Sequence, residues 1–266
     1  MSISILVVML LLTAEACFAE IPLWTPFYST NTVQAWYDAS DLDTITEVGG
    51  FVSQWDDKTT NGYNLLQSGD LRPMFLATNQ NGNGVIRFDG TNDTMAAATI
   101  TPIVQPWEVY FMLKNLSNSS KPRLLTGAGV TLYQFVNTGG GKPTLNAGSG
   151  FAFASALTPG EGHFLRFTAN GASSIGNKDY VEYGPGDAGT NSISEIRVGG
   201  TAASSVIDLD MYECVIIQGI MSDDDRRRME GYLAWKWGFE DKLPVDHDYK
   251  SAPPYYYAPA TVVIVE

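Results

Sequence analysis

The chain has 266 residues, a length at which a β-sandwich folds as one domain and buries roughly three-quarters of its unfolded surface. A formal net charge of −13 argues against nucleic acid and anionic membrane as partners. With 26 Gly, 13 Pro, 12% aromatic and only 17% charged residues, the composition suits many short strands joined by tight turns, not a helical bundle.

In chain order, residues 3–12 form an apolar run too short to span a bilayer. Ala16-Cys-Phe-Ala19 follows with small residues at the −3 and −1 positions, so residues 1–19 read as a secretory signal peptide cleaved before Glu20. The alternative is a retained apolar N-terminus packed against a partner. Pro22, Trp24 and Pro26 mark an extended lead-in. Strands are expected at Val33–Tyr37 and Phe51–Trp55, with Asp38, Asp41 and Asp43 in the loop between them. The segment 59–64 is turn chemistry, and 79–84 is a polar turn leading into a strand over Val85–Phe88. Trp107–Leu113 is apolar on both faces and reads as a central strand. Further strands are expected at Leu124–Leu125, Val130–Val136, His163–Thr168, Asp179–Tyr183, Ile193–Val198 and Met211–Gln218. The Gly139–Gly141 run lacks the G-K-S/T ending and the following helix of a phosphate loop.

One helix is expected, over about 222–237. Ser222 is a good N-cap with Asp225 three residues on, in the manner of a capping box. Gly238 is placed for the left-handed C-cap. Met229, Leu233 and Trp237 share one face, which must lie on something apolar, because an isolated helix of this length is marginal in water. Turn signals about every ten residues with one late helix fit a two-sheet jelly roll. Pro253, Pro254 and Pro259 keep the tail extended. Thr261–Val265 has high β-propensity, so residues 255–266 read as a tail strand that pairs within its own sandwich or with a second subunit, making a homo-oligomer.

The runs Tyr212–Ser222 and Arg228–Gly238, followed by Leu243-Pro244, His247, Tyr249 and Pro253-Pro254, carry a resemblance. So do Trp36-Tyr-Asp-Ala-Ser40, Val52–Asp56 and Val85–Asp93 upstream. Together they resemble the laminin-G-like domains of secreted bacterial proteins and phage structural proteins. The resemblance implies an all-β, concanavalin A-like jelly-roll β-sandwich over 20–254 with the helix packed on it. It is poor for function, because that superfamily hosts lectins, adhesins, glycosidases and structural modules alike.

Catalytic signals are sparse. The chain has two His, at 163 and 247, and no G-x-S-x-G context. Glycosidases of this fold class carry alternating carboxylates on one strand face; here Asp208-Leu-Asp210 is the nearest match, with Glu213 on the other parity. Calcium takes six to eight oxygens, and the loop Asp89-Gly-Thr-Asn-Asp93 offers Asp89, Asn92 and Asp93. The resemblance adds Asp210, an acidic residue that in laminin-G-like domains lies near that loop. The competing reading is that these side chains cap a turn by bonding to backbone. A glycan or cell-surface polysaccharide would stack on exposed aromatic rings beside polar loops, with Tyr133, Trp235, Asn81 and Asn137 as candidates. Three functions are therefore expected in turn. The first is a non-catalytic extracellular recognition or adhesion module, secreted. The second is a virion structural protein, a decoration or tail appendage on the virion surface. The third is a glycoside hydrolase.

Overall fold

The apolar runs of the sequence become strands because their alternate residues find two faces to fill. The computed structural model describes residues 21–117, 123–127, 130–134, 142–152, 156–201 and 205–256, with the backbone alone for 130–134. The expected signal segment, Asn137 and the tail strand Thr261–Val265 lie outside the described residues. The strands are β1 Thr32–Asp38, β2 Ile45–Val48, β3 Phe51–Trp55, β4 Leu65–Leu66, β5 Met74–Gln80 and β6 Asn83–Asp89. They continue as β7 Met95–Ala97, β8 Trp107–Asn115, β9 Arg123–Gly127, β10 Val130–Gln134, β11 Thr144–Asn146 and β12 Gly150–Ala152. The last five are β13 Gly162–Ala169, β14 Ser174–Lys178, β15 Val181–Gly186, β16 Arg197–Val198 and β17 Asp208–Gln218. Among the described residues a single α-helix, α1 Asp223–Trp237, follows. No helix among the described residues is long and apolar enough to cross a membrane.

All ladders between these strands are antiparallel, and the fold is an all-β sandwich with one helix. The strand β17 organises it. Its C-terminal half pairs with β1 on one side and β8 on the other, and β8 continues to β13, β14 and β15. Its N-terminal end pairs with β6, which leads through β5 and β3 into the second layer. Trp55, Leu65, Met95, Leu125 and Val198 of that layer are buried in one core with Tyr37, Val109, Phe111 and Phe167. Nine of the eleven residues of β17 are buried, because it carries a layer on each face. Cys214 lies mid-strand between Tyr37 of β1 and Phe111 of β8, fully buried.

The other face of the sheet is not purely apolar. Antiparallel partners share a side, so Trp36 and Asp38 of β1, Glu213 and Val215 of β17, Tyr110 and Met112 of β8, and Phe164 and Arg166 of β13 line one surface. The helix sits on it. Met229, Leu233 and Trp237 are buried as their spacing requires. Ser222 Oγ accepts the Asp225 N–H at 3.2 Å, and Gly238 takes the left-handed cap at φ 74°. The box is not reciprocal, however. The Asp225 carboxylate instead accepts the Thr30 N–H and hydroxyl at 2.9 and 2.8 Å, fixing the lead-in to the helix start. Mid-helix Gly231 is explained by contact: a Cβ there would stand 2.6 Å from the Tyr249 Cβ.

Two expected strands differ. Asp179 and Tyr180 form the turn between β14 and β15, at φ 50° and 68°, instead of opening a strand. Their side chains hold that left-handed turn: Asp179 bonds His163 at 2.7 Å, and Tyr180 stacks on Phe164 at 4.7 Å. Ile193–Val198 shrinks to β16 plus an isolated bridge from Ile193 to Ile103.

Candidate functional site

A cleft of about 630 Å³ opens where the two described ends of the chain meet the helix. The lead-in pairs with the C-terminal segment: Leu23 bridges Tyr255, the Trp24 N–H donates to Pro254 O at 2.9 Å, and the Tyr256 N–H donates to Pro22 O at 2.8 Å. That pairing brings Trp24 and Pro254 to the cleft wall. The end of β1 supplies Asp38, the following turn Ser40 and Asp41, and the loop after β3 Lys58. Tyr232, Trp235 and Lys236 come from α1 at i, i+3 and i+4, the spacing that puts residues on one helix side.

The polar groups form one network. Lys58 Nζ lies 2.9 Å from Asp38 and 2.7 Å from Asp41, and 4.2 Å from the centre of the Trp36 ring. Lys236 Nζ lies 2.7 Å from Asp38 and 2.8 Å from Glu213. Behind the cleft, Glu213 is fully buried and accepts from Trp36 Nε1 at 2.7 Å, Tyr232 OH at 2.8 Å and Trp237 Nε1 at 2.7 Å. A buried carboxylate persists only when its lone pairs are met, and here they are. Burial works to raise the Asp38 carboxyl, but Lys236 and Lys58 outweigh it and hold it below its ordinary range. Burial likewise opposes the Lys58 ammonium, yet Asp38 and Asp41 raise its pKa. At Glu213 burial prevails and pushes the carboxyl up, against Lys236. Of the carboxylates in the cleft wall, Asp41 is the accessible one, with its side chain 32% exposed against 4% for Asp38. The half-buried rings of Tyr232 and Trp235 complete the wall, and the buried Trp24 backs it, edge-on to Tyr232 at 6.2 Å between ring centres. Ring faces beside charged hydrogen-bonding groups suit a polyhydroxylated ligand with an apolar face.

Of the residues picked from sequence, Trp235 lies in this cleft, its Nε1 tied to Tyr249 O at 2.8 Å. Asn81 sits in the turn between β5 and β6, and its amide donates to Lys236 O at 3.0 Å. With Gln80 and Asn83 it meets the open carbonyls at the end of α1. Tyr133 lies on β10, where only backbone is described. Asp89, Asn92, Asp93 and Asp210 do gather where β6 meets β17, since Asp208 pairs with Asp89 and Asp210 with Arg87. Several of their oxygens are engaged. Asp210 takes both arms of Arg87 at 2.6 and 2.8 Å. Asp89 Oδ1 accepts the Thr91 and Asn92 N–H groups, and Asp93 Oδ2 accepts the Asp89 N–H at 2.9 Å. Among the described residues no three or more His, Cys, Asp or Glu are grouped to hold a metal. Asp208-Leu-Asp210 presents no free carboxylate pair either, because Arg87 holds Asp210. Sequence reasoning missed Asp38, Lys58, Lys236, Tyr232 and Glu213. The one local signal was Lys236, set between Trp235 and Trp237; Lys58 follows Asp56-Asp57 and reads as a solvated charge.

No family profile and no curated protein matches the chain by sequence. Solved structures do match in fold. A Trypanosoma rangeli sialidase aligns at TM-score 0.52 and 11% identity, over 77% of this chain and 33% of its own. Domain 4 of AbnA, a GH43 extracellular arabinanase from Geobacillus stearothermophilus, in complex with arabinotriose, aligns at TM-score 0.51 and 13% identity, over 72% and 95%. An arabinofuranosidase complexed with arabinofuranosyl-α-1,2-xylobiose aligns at TM-score 0.50 and 14% identity, over 82% and 62%. The chain thus spans about a third of the sialidases. At these identities the likeness shows the β-sandwich fold, and the laminin-G-like assignment gains no sequence match. It also corrects the functional expectation. The reading as a non-catalytic adhesion module or virion component is not borne out: the solved structures named here are a sialidase, a domain of an arabinanase and an arabinofuranosidase.

Proposed function

We propose that this protein works in carbohydrate processing and takes a glycan in the cleft formed by Trp24, Asp38, Asp41, Lys58, Tyr232 and Trp235. The carrying observation is the meeting of aromatic surface with a lysine–aspartate network in one cleft of about 630 Å³, within the roughly 300–1,000 Å³ of small-molecule sites. Fold neighbours named as sialidase, arabinanase and arabinofuranosidase support the ligand class by analogy.

Bond cleavage is a separate step and needs a carboxylic acid that carries a proton at working pH. Asp38, held ionised by two lysines, fits an electrostatic role in the cleft. Asp41 is the accessible carboxyl beside it. The test is titration of the protein with arabinotriose, followed by NMR of the tryptophan indole N–H groups and by release of reducing ends. Binding that shifts the Trp24 and Trp235 signals is expected. No shift at millimolar sugar, for folded protein, overturns the reading. Release of reducing ends that Asp41→Asn abolishes assigns catalysis to the same cleft.

A further inference from the structure

The charge balance of the cleft bears on which carbohydrates it accepts. Lys58 and Lys236 are the two cations of its wall, and neither is free. Each ammonium contacts two carboxylates within 3 Å: Asp38 and Asp41 for Lys58, Asp38 and Glu213 for Lys236. Two positive charges are thus set against three negative ones. Lys236 has a further contact in Tyr232 OH at 3.0 Å. Arg228, in the small hollow adjoining Trp24, is itself paired with Asp225 at 3.1 Å. A sugar carboxylate entering here would meet the exposed Asp41 oxygens first and would have to break a lysine–aspartate pair to gain a cation. Breaking such a pair leaves an uncompensated, partly buried charge. The net charge of −13 adds long-range repulsion.

We infer that the cleft selects neutral sugar units and rejects uronic and sialic acids. The inference rests on the carbohydrate reading above and narrows it to a substrate class. Asp41 is the gatekeeper: its carboxylate occupies the outer side of Lys58 that an acidic sugar would need.

Calorimetric titration of the full chain with arabinotriose and with trigalacturonic acid, each at low and high salt, tests this. The neutral trimer should bind at least roughly tenfold more tightly at low salt, and the gap should narrow at high salt as the repulsion is screened. Asp41→Asn should raise affinity for the acidic trimer severalfold by releasing Lys58, and so narrow the ratio of neutral to acidic affinity. Equal or tighter binding of the acidic trimer to the wild type overturns the selectivity and leaves the carbohydrate reading standing. An Asp41→Asn variant that gains nothing for the acidic trimer also overturns it. Binding of neither trimer overturns the carbohydrate reading itself.

Discussion

At the scale of single residues, buried charge dominates both stability and the cleft. Lys236 answers Asp38 and Glu213 together, and removing it leaves Asp38 to Lys58 alone and strips the buried Glu213 of its ammonium. Lys236→Met is expected to cost about 3–5 kcal/mol at neutral pH by denaturant unfolding. The cost should shrink as the pH is lowered and Glu213 and Asp38 take up protons. A cost that does not vary with pH would show that the lysine acts through packing alone. Asp93 behaves in the opposite sense to Asp38. Burial raises its pKa to about 6, with the Asp89 charge adding to that and the Asp89 N–H opposing it. A carboxyl raised in the folded state contributes stability that is complete below the unfolded pKa and lost as pH rises through about 6. Asp93→Asn should therefore gain melting temperature over wild type at pH 8 and lose that advantage at pH 5. Calcium at this loop, if it is the ion the loop composition suggests, would raise the wild-type melting temperature at pH 8 and leave Asp93→Asn unmoved; identical curves with and without chelator exclude it.

At the scale of elements, α1 shows what a sequence pattern carries and where it stops. Its bounds, its N-cap, its left-handed C-cap and its buried stripe were all legible, because each is set by residues within a few positions. What lies against it was not. Tyr249 is eighteen positions from Gly231 along the sequence, and only their contact explains a glycine in mid-helix. Gly231→Ala would stabilise an isolated helix by about 1 kcal/mol. Here the added methyl meets the Tyr249 Cβ at 2.6 Å, and neither atom is the free end of a side chain. Overpacking of this kind costs about 1–3 kcal/mol, so a lower melting temperature is expected. A higher one would mean that the loop carrying Tyr249 gives way freely. The strands tell a similar story. Phe51–Trp55 and Trp107–Asn115 follow from their apolar runs. The turn at Asp179–Tyr180 depends on His163 and Phe164, one strand away, and no local signal marks it.

At the scale of the whole molecule, the cleft was the least legible part. Asp38, Lys58 and Lys236 are scattered over two hundred positions, and hydropathy patterns treat each as a solvated charge. They converge because β1 and β17 pair and α1 folds back over them, a consequence of topology. The N-terminal lead-in closes the same site, and its tie to the helix is Asp225. Burial tends to raise that carboxyl, but the Thr30 and Arg228 bonds lower it. Its contribution is present above the unfolded pKa and lost as pH falls through the folded one. Asp225→Asn is expected to lose about 1–3 kcal/mol at pH 7, the scale of a charged hydrogen bond, and little in acid. The variant should also bind arabinotriose more weakly, because Trp24 rides on the loosened segment. Unchanged affinity with reduced stability would separate the lead-in from the cleft.

The position of Cys214 gives the protein an internal clock. Its sulfur lies at the centre of the longest strand, with a layer on each face, and burial raises the thiol pKa further from reactivity, with the Glu213 charge adding to the effect. Fraying of an edge strand or a loop does not uncover it. Alkylation at this residue, followed peptide by peptide in mass spectra, therefore counts the openings in which the whole sandwich comes apart. When reclosing is fast, the labelling rate should fall with stability measured in denaturant; in the opposite regime it becomes the unfolding rate itself. Labelling far faster than global stability allows would reveal that the two layers part before the fold is lost.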